Sequence, residues 1–328
     1  MCTRQRFAGA VLGVAVALLL GGAGAARAGF VVPFDPTGGA GANPNNVLAA
    51  TGFSFSPGNL LLIGAGNLTG AEVGDVIPVL YQAFVNGIPT AGGNSASLAP
   101  DNGNISINGN PALGIQLVLT AQFTEKVASV VGTTVTFAPD LTAGPNQVMM
   151  YAQPSTDANI NDPNSTNQYP GAGSTLILSG HLATTGFTSD FTVTDNTGTQ
   201  LLNQFNSASY SGIHTVVGNG DPDMTVMVTS PNPNYFLTPP TTVITLTFNN
   251  VTTTTPFTAV TPAMVMFNGA TPNVGTINGQ NGTDTLMQQQ ASATFAAAVP
   301  EPASLTLLGI GALGLLGYGW RKRKQAQA

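Results

Sequence analysis

The chain has 328 residues, and its 14 acidic side chains outnumber its eight basic ones to give a formal net charge of −6. An acidic surface repels phosphate backbones, so this balance excludes nucleic-acid binding. Cys2 is the single cysteine, which excludes an intramolecular disulfide and a cysteine metal site.

Residues 1–28 have the three parts of a secretory signal peptide. These are, in chain order, the basic residues Arg4 and Arg6, the apolar run from Phe7 to Leu20, and the small cleavage residues Ala26 and Ala28. We predict a signal helix that signal peptidase removes together with Cys2. The alternative is a retained membrane anchor, for which the apolar run is short.

Residues 29–298 form the predicted body, in which short apolar runs alternate with turn residues. Threonine opposite Val, Leu or Phe with a period of two is typical of half-buried strands. The sequence therefore predicts an all-β fold, an antiparallel β-sandwich of the jelly-roll or immunoglobulin-like type. The runs are Val76–Phe84, Gly114–Phe123, Thr133–Phe137, Thr175–Leu178, Phe187–Thr194, Met224–Thr229 and Val243–Phe248.

Two segments of the body depart from this alternation. Residues 286–298 are the best candidate for a helix, although their 3.6-residue periodicity is weak. Residues 154–173 are rich in Asp, Asn, Pro, Ser and Gly, and predict a long loop. This loop is a candidate seam between two subdomains. We favour one sandwich, because each half alone would have few strands.

Residues for catalysis are scarce in the body. His181 and His214 are the only histidines, and nothing in the sequence brings them together with carboxylates. We expect both to be strand-end or surface residues. There is no G-x-S-x-G motif for a serine nucleophile. The prediction is a protein without catalytic residues or a cofactor.

Calcium is the one metal for which the sequence offers candidate ligands. Residues 157–162 begin like an EF-hand loop but lack its glycine, and Gln168 replaces its bidentate glutamate. Asp221 and Asp223 could present two carboxylates at a sandwich edge. The favoured interpretation of all these residues is solvated turn carboxylates.

Two further groups of side chains have both a surface and a structural interpretation. Residues 252–256, four threonines and a proline, suit O-glycosylation or form a polar loop. The tyrosines could stack on sugar rings or pack in the core, and the second interpretation is favoured. They are Tyr81, Tyr151, Tyr169, Tyr210 and Tyr235.

Residues 299–324 combine an extended motif, an apolar run and a basic cluster. Residues 303–320 would form a helix of about 27 Å, which is long enough for a predicted transmembrane helix. The basic cluster would stop transfer and stay inside. The motif comprises Pro300, Glu301 and Pro302 within residues 299–302, and the cluster comprises Arg321, Lys322, Arg323 and Lys324.

These three ordered elements resemble the PEP-CTERM sorting signal of Gram-negative bacteria. The resemblance implies a chain held transiently in the inner membrane, where an exosortase-type enzyme cuts at Pro300, Glu301 and Pro302. The product then reaches the cell surface or the extracellular matrix. Without its two ends, the body has 13 carboxylates and one lysine, a net charge of about −12.

The second half of the body resembles the flocculation-associated PEP-CTERM proteins. The similar stretches are Ser174–Gly180, Gln204–Phe205, Tyr210–Val216 with Gly218, Pro256–Phe257, Ile277–Asp284 and the glutamines before Phe295. The resemblance implies a non-enzymatic surface or matrix protein that promotes cell aggregation with extracellular polysaccharide. The alternatives are a secreted carbohydrate-active hydrolase and a self-associating structural subunit.

Overall fold

A computed structural model describes residues 30–92, 96–99, 104–106, 115–154, 173–183, 185–202, 210–238, 244–257 and 272–297. Within these ranges no helix is long and apolar enough to cross a membrane. The predicted signal peptide, the interior of the predicted loop at 154–173 and the segment 299–324 lie outside them.

Strands dominate the described chain, and the prediction of an all-β fold is confirmed. Two 3-10 turns, Pro44–Asn46 and Leu68–Gly70, accompany them. The strands are β1 (Val32–Phe34), β2 (Leu48–Ala50), β3 (Gly52–Phe55), β4 (Gly58–Leu62), β5 (Val76–Ile88), β6 (Ala96–Ala99), β7 (Asn104–Ser106), β8 (Ile115–Val131), β9 (Thr134–Pro139), β10 (Gln147–Pro154), β11 (Thr175–Leu182), β12 (Ser189–Leu201), β13 (His214–Gly220), β14 (Met224–Pro231), β15 (Ile244–Thr255), β16 (Ile277–Asn278) and β17 (Thr285–Ala297).

The strand pairings close into two rings that share β5, β8, β15 and β17. In the first ring, antiparallel pairs run β5, β8, β10, β11, β14, β15 and β17, and β3 and β4 together join β17 back to β5. In the second ring, β9, β12 and β13 connect the later part of β8 to the end of β15. The antiparallel β-sandwich, of jelly-roll or immunoglobulin-like type, stays a prediction.

Alternation along each strand separates the main core from a smaller cluster on the opposite face. On β4, Leu60 and Leu62 belong to the main core, whereas Leu61 between them belongs to the smaller cluster with Leu80 and Leu286. This period of two follows from the pleat, because successive side chains point to opposite faces. Most of the apolar residues predicted from the sequence are therefore buried on one of two faces.

The segment with the best, though weak, helical periodicity is not a helix, because residues 286–297 belong to β17. Met287, Ala291, Ala293 and Phe295 belong to the main core, and Thr294 between the last two is exposed. Glutamine and alanine favour helices, but pairing with β15, β3 and β4 overrides that propensity. Tertiary pairing thus decides the conformation of this segment.

The threonines at 252–255 do not form a loop, because β15 continues through them to Thr255. Thr253 and Thr255 are buried, and the Thr255 hydroxyl lies 2.7 Å from that of Thr215. The hydroxyls of Thr253 and Thr255 are therefore closed to a glycosyltransferase, whereas Thr252 is exposed and Thr254 is half-buried. The peptide bond between Thr255 and Pro256 is cis.

Candidate functional site

The strand that leads to the segment at 299–324 is a central one. β17 pairs with β15 on one side and with β3 and β4 on the other, and it ends at Ala297. Pro300 follows three residues later in the sequence. The residues predicted for sorting and cleavage lie outside the described ranges: Ala26, Ala28, Pro300, Glu301, Pro302, Arg321, Lys322, Arg323 and Lys324.

Two open grooves at the second ring share two lining residues, and we call them the groove pair. The first has a volume of about 460 Å³, and the second has about 360 Å³. Thr194 and Asp195 line both of them, so the grooves adjoin at β12. The other lining residues of the first are Gln200, Val217, Gly218, Asn219, Thr254, Thr255 and Pro256; those of the second are Leu68, Thr69, Val130, Gly132, Thr133, Val135, Val193 and Asn196.

β12 is irregular directly after Thr194 and Asp195, the two residues that line both grooves. Asp195 pairs with Val217, but the next paired residue of β12 is Gln200, so four residues leave the ladder between them. One of these is Gly198, whose φ of +65° is strained for any side chain. The sequence predicted that the strand ends at Asp195, whereas β12 continues beyond this bulge to Leu201.

The Asp195 carboxylate is the charged group of the groove pair. Its Oδ1 accepts a hydrogen bond of 2.8 Å from the Thr197 backbone N–H. This bond and one from the Thr197 hydroxyl hold the pKa of Asp195 below its usual value, because they stabilise the charged form. Asp195 is therefore a half-buried anion among amides and hydroxyls.

Glu125 is a second unusual carboxyl group, but it lies inside the core rather than in a groove. Burial raises its pKa to about 7, although a hydrogen bond with Ser189 opposes the shift. Glu125 lines a cavity of about 20 Å³ together with Asp190 and apolar side chains. This cavity has room on the scale of one water molecule and cannot admit a sugar.

The two histidines occupy separate strands and different environments. His181 lies in β11 opposite Met227 and is exposed. His214 begins β13, and its Nδ1 lies 3.3 Å from the Thr199 carbonyl oxygen. No group of three His, Cys, Asp or Glu side chains in the described ranges is arranged to hold a metal ion.

Asp221 and Asp223 are exposed at the turn between β13 and β14. The Asp221 backbone N–H donates to Asp190 Oδ1 at 3.2 Å, and Asp223 exchanges two backbone hydrogen bonds with Thr188. These bonds use backbone groups of Asp221 and Asp223 and not their carboxylates, so the interpretation as turn carboxylates stays a prediction. The other candidate calcium residues, 157–162 and Gln168, lie outside the described part of the chain.

The tyrosines contribute to the core rather than to a sugar-stacking surface. Tyr81, Tyr210 and Tyr235 are buried, and Tyr210 packs edge-on against Phe257 with ring centroids 5.6 Å apart. Tyr151 is half-buried, and its hydroxyl contacts the Met149 sulfur at 3.1 Å. Tyr169 lies outside the described residues. The structural interpretation is thus confirmed for the three buried rings.

Sequence reasoning missed the groove pair because its walls come from distant segments. Thr69, Thr133, Asp195, Asn219 and Thr254 meet only after the second ring has closed. The one local signal was the turn-forming sequence Asp-Asn-Thr-Gly at 195–198, which directly follows the predicted run Phe187–Thr194.

Comparison with known proteins identifies the C-terminal segment. A family model for the PEP-CTERM protein-sorting motif matches residues 298–324. No curated protein and no solved structure matches the chain significantly. The match implies export, processing by an exosortase at the membrane and sorting to the cell surface.

Proposed function

We propose that this chain, which carries a PEP-CTERM sorting signal, is a non-enzymatic surface or extracellular-matrix protein of a Gram-negative bacterium. In this proposal it binds extracellular polysaccharide in the groove pair and promotes cell aggregation. Signal peptidase removes residues 1–28, and the exosortase acts at Pro300, Glu301 and Pro302.

The observation that carries the proposal is the chemistry of the groove pair. Hydroxyl and amide groups dominate its polar lining, and these groups can both donate to and accept from sugar hydroxyls. The two grooves share Thr194 and Asp195, and in this proposal one polymer contacts both. A repeating polymer suits this open, polar surface better than a compact apolar ligand, which needs an enclosed pocket.

The distribution of carboxylates supports binding rather than hydrolysis. Glycoside hydrolysis commonly uses two carboxyl groups about 5–10 Å apart on either side of the sugar bond. Asp195 is the only carboxylate among the described residues that line the groove pair. Glu125 and Asp190 line one cavity, but its 20 Å³ excludes a sugar. These observations favour the proposal over the hydrolase alternative.

A binding assay with the mature protein tests the proposal. Extracellular polysaccharide from the producing cells should co-sediment with the wild-type protein. The double variant Asn219→Ala/Thr254→Val should lose most of this binding, because it removes an amide and a hydroxyl from the first groove. Asn234→Ala, an exposed change far from both grooves, is the matched control. If all three proteins bind the polysaccharide equally, its site lies outside the first groove. If none of them binds it, the proposal is wrong.

A further inference from the structure

The two grooves of the groove pair share a carboxylate. Thr194 and Asp195 line both grooves, and Asp195 is paired with Val217, which lines the first groove. Opposed residues of an antiparallel pair project from the same face of the sheet, so the Asp195 side chain lies on the face of Val217. A glycan that contacts both grooves therefore also meets this carboxylate.

Contacts around the irregularity of β12 hold Asp195 in position. The Thr197 backbone N–H donates to Asp195 Oδ1 at 2.8 Å. The side-chain amide of Gln280 donates to the backbone carbonyl of Asn196, the next residue along the strand. The carboxylate is thus ordered before a ligand arrives, and this order lowers the entropy cost of binding.

The Asp195 carboxylate keeps its charge and its capacity to accept further hydrogen bonds. The hydrogen bonds from the Thr197 N–H and hydroxyl lower its pKa, so the group is ionised at neutral pH. An ionised carboxylate has about four acceptor sites, and the two bonds from Thr197 do not fill them. A ligand that donates hydrogen bonds can therefore bind this group.

The body has one lysine and no arginine, and the lysine lies away from Asp195. Lys126 precedes Val130 of the second groove by four residues, which is about 13 Å along β8. It lies near Asp140, whose pKa is lowered mainly by hydrogen bonds from Thr142 and also by Lys126. All other charged side chains of the body are acidic, so its segments outside the described ranges cannot neutralise Asp195 either.

The histidine of β13 does not face the first groove. Side chains alternate along a strand, so His214 shares its face of β13 with Val216, which belongs to the main core. Val217, which lines the first groove, lies on the other face. The charge of Asp195 is therefore available to a ligand in the grooves.

A carboxylate in this position discriminates among glycans by their charge. It repels the carboxylates of uronic acids and the sulfates or phosphates of acidic sugars. Neutral sugar hydroxyls can donate to it, but hydrogen bonds between two ionised partners are about twice as strong as neutral ones. The net charge of the body, about −12, favours a cationic polymer at longer range as well. The preferred partner is therefore a sugar that carries an ammonium group.

We propose that the groove pair is specific for a glycan with free amino groups, one of which binds Asp195 as an ammonium ion. This specificity rests on the proposed function, because it names the class of polysaccharide that the same grooves bind. The hydroxyls and amides of the grooves bind the neutral part of each sugar, and Asp195 selects the amine.

Oligosaccharides of equal length test this specificity in a calorimetric titration of the mature protein at pH 6 and low salt. Glucosamine and N-acetylglucosamine oligomers differ only in the acetyl group, which removes the positive charge. The glucosamine oligomer should bind about fivefold more tightly than its acetylated counterpart. A galacturonic acid oligomer should bind more weakly than either. Equal or tighter binding of the acetylated oligomer, or no binding of the glucosamine oligomer, overturns the proposal.

The variant Asp195→Asn removes the charge and keeps the shape of the side chain. It should lower the affinity for the glucosamine oligomer to that for the acetylated one. Asp140→Asn is the matched control, because Asp140 is also half-buried, also accepts from a threonine N–H two residues later and does not line either groove. It should keep the wild-type preference. Loss of the preference in both variants, or in neither, contradicts the role of Asp195.

Calcium provides a route by which the same carboxylate binds an acidic glycan. If millimolar calcium makes the galacturonic acid oligomer the tightest ligand and a chelator reverses this, Asp195 serves a calcium bridge and the proposal is wrong. Co-sedimentation with extracellular polysaccharide separates the two proposals. Binding of this polysaccharide without a preference for amines overturns only the amine specificity, whereas its failure to bind overturns the proposed function.

Discussion

Glu125 is a carboxyl group that the fold keeps in its apolar core. It shares the alternating face of β8 with Phe123 and Val127, which both belong to the main core. Removal from water disfavours the charged form, and its pKa rises from 4.5 to about 7. Asp190 is the one other charged group that lines its cavity, and Lys126 is exposed on the opposite face. The folded state therefore keeps this group protonated to a higher pH than an exposed glutamate.

The raised pKa makes folding depend on pH in a definite direction. Between pH 4.5 and about 7 the folded state binds a proton that the unfolded state has released, so stability falls as the pH rises through this window. The loss reaches at most about 3 kcal/mol above pH 7. Urea titrations at pH 5 and pH 8 should show this loss in the wild type and much less of it in Glu125→Gln.

An exposed glutamate provides the control for the pH experiment. Glu72→Gln removes the same charge from a solvent-facing site and should keep the wild-type dependence. If Glu125→Gln and the wild type lose equal stability between pH 5 and pH 8, the buried carboxyl is not the cause.

At the level of elements, aromatic rings connect the strands around the end of β17. Phe53 of β3 packs against Phe34 of β1 and Phe295 of β17, with centroids 5.5 and 5.2 Å apart. Phe236 extends the cluster to the loop after β14. All four rings are almost fully buried. The cluster therefore fixes the last strand of the body just before the sorting signal.

Truncation of the central ring should destabilise the fold strongly. Phe53→Ala leaves a cavity among rings that cannot collapse fully, and we expect a loss of about 3–5 kcal/mol in the free energy of unfolding. Val131→Ala, at a side chain that is 73% exposed, should change stability by less than about 0.5 kcal/mol. Denaturant titration of both variants measures the difference. Similar values would show that the cluster is not part of a cooperative core.

The strands were predictable where local alternation and burial agree. Met224–Pro231 and Thr134–Pro139 coincide closely with their predicted runs, because threonine and apolar side chains alternate without interruption. β15 was predicted only to Phe248. It ends in four threonines, whose composition suggests a polar loop. Pairing with β13 and β17 instead makes them part of the strand and buries two of them. Local composition does not show which distant strand a segment pairs with.

For the whole molecule, the sorting signal was easier to predict than the proposed binding surface. The sorting signal is a contiguous segment whose three elements have a fixed order, and the family match confirms it. The groove pair depends on segments separated by more than 100 residues, such as those of Thr69 and Thr254. A single sequence does not show which distant segments contact each other.

Processing at the signal should remove the end of the chain. The exosortase is expected to cut near Pro300, Glu301 and Pro302, because the extended motif lies between the last strand and the apolar run. Mass spectrometry of the surface fraction should find C termini in this region. Recovery of intact chains that end at Ala328 would contradict the prediction.

The acidic body should make aggregation sensitive to divalent cations. Exposed carboxylates such as Asp221 and Asp223 repel those of a neighbouring molecule, and calcium or magnesium can bridge them. Settling should therefore rise with millimolar calcium and fall with a chelator. Sodium at matched ionic strength should do less, because it screens without bridging. Equal effects of sodium and calcium would remove bridging from the mechanism.

The most direct test of the central claim is the settling of cells after deletion and complementation of the gene. Deletion should abolish settling, and the wild-type gene should restore it. Asn219→Ala/Thr254→Val should be exported and processed normally but should not restore settling, whereas Asn234→Ala should restore it fully. Normal settling without the gene, or full rescue by the groove variant, would contradict a role of the groove pair in cell aggregation.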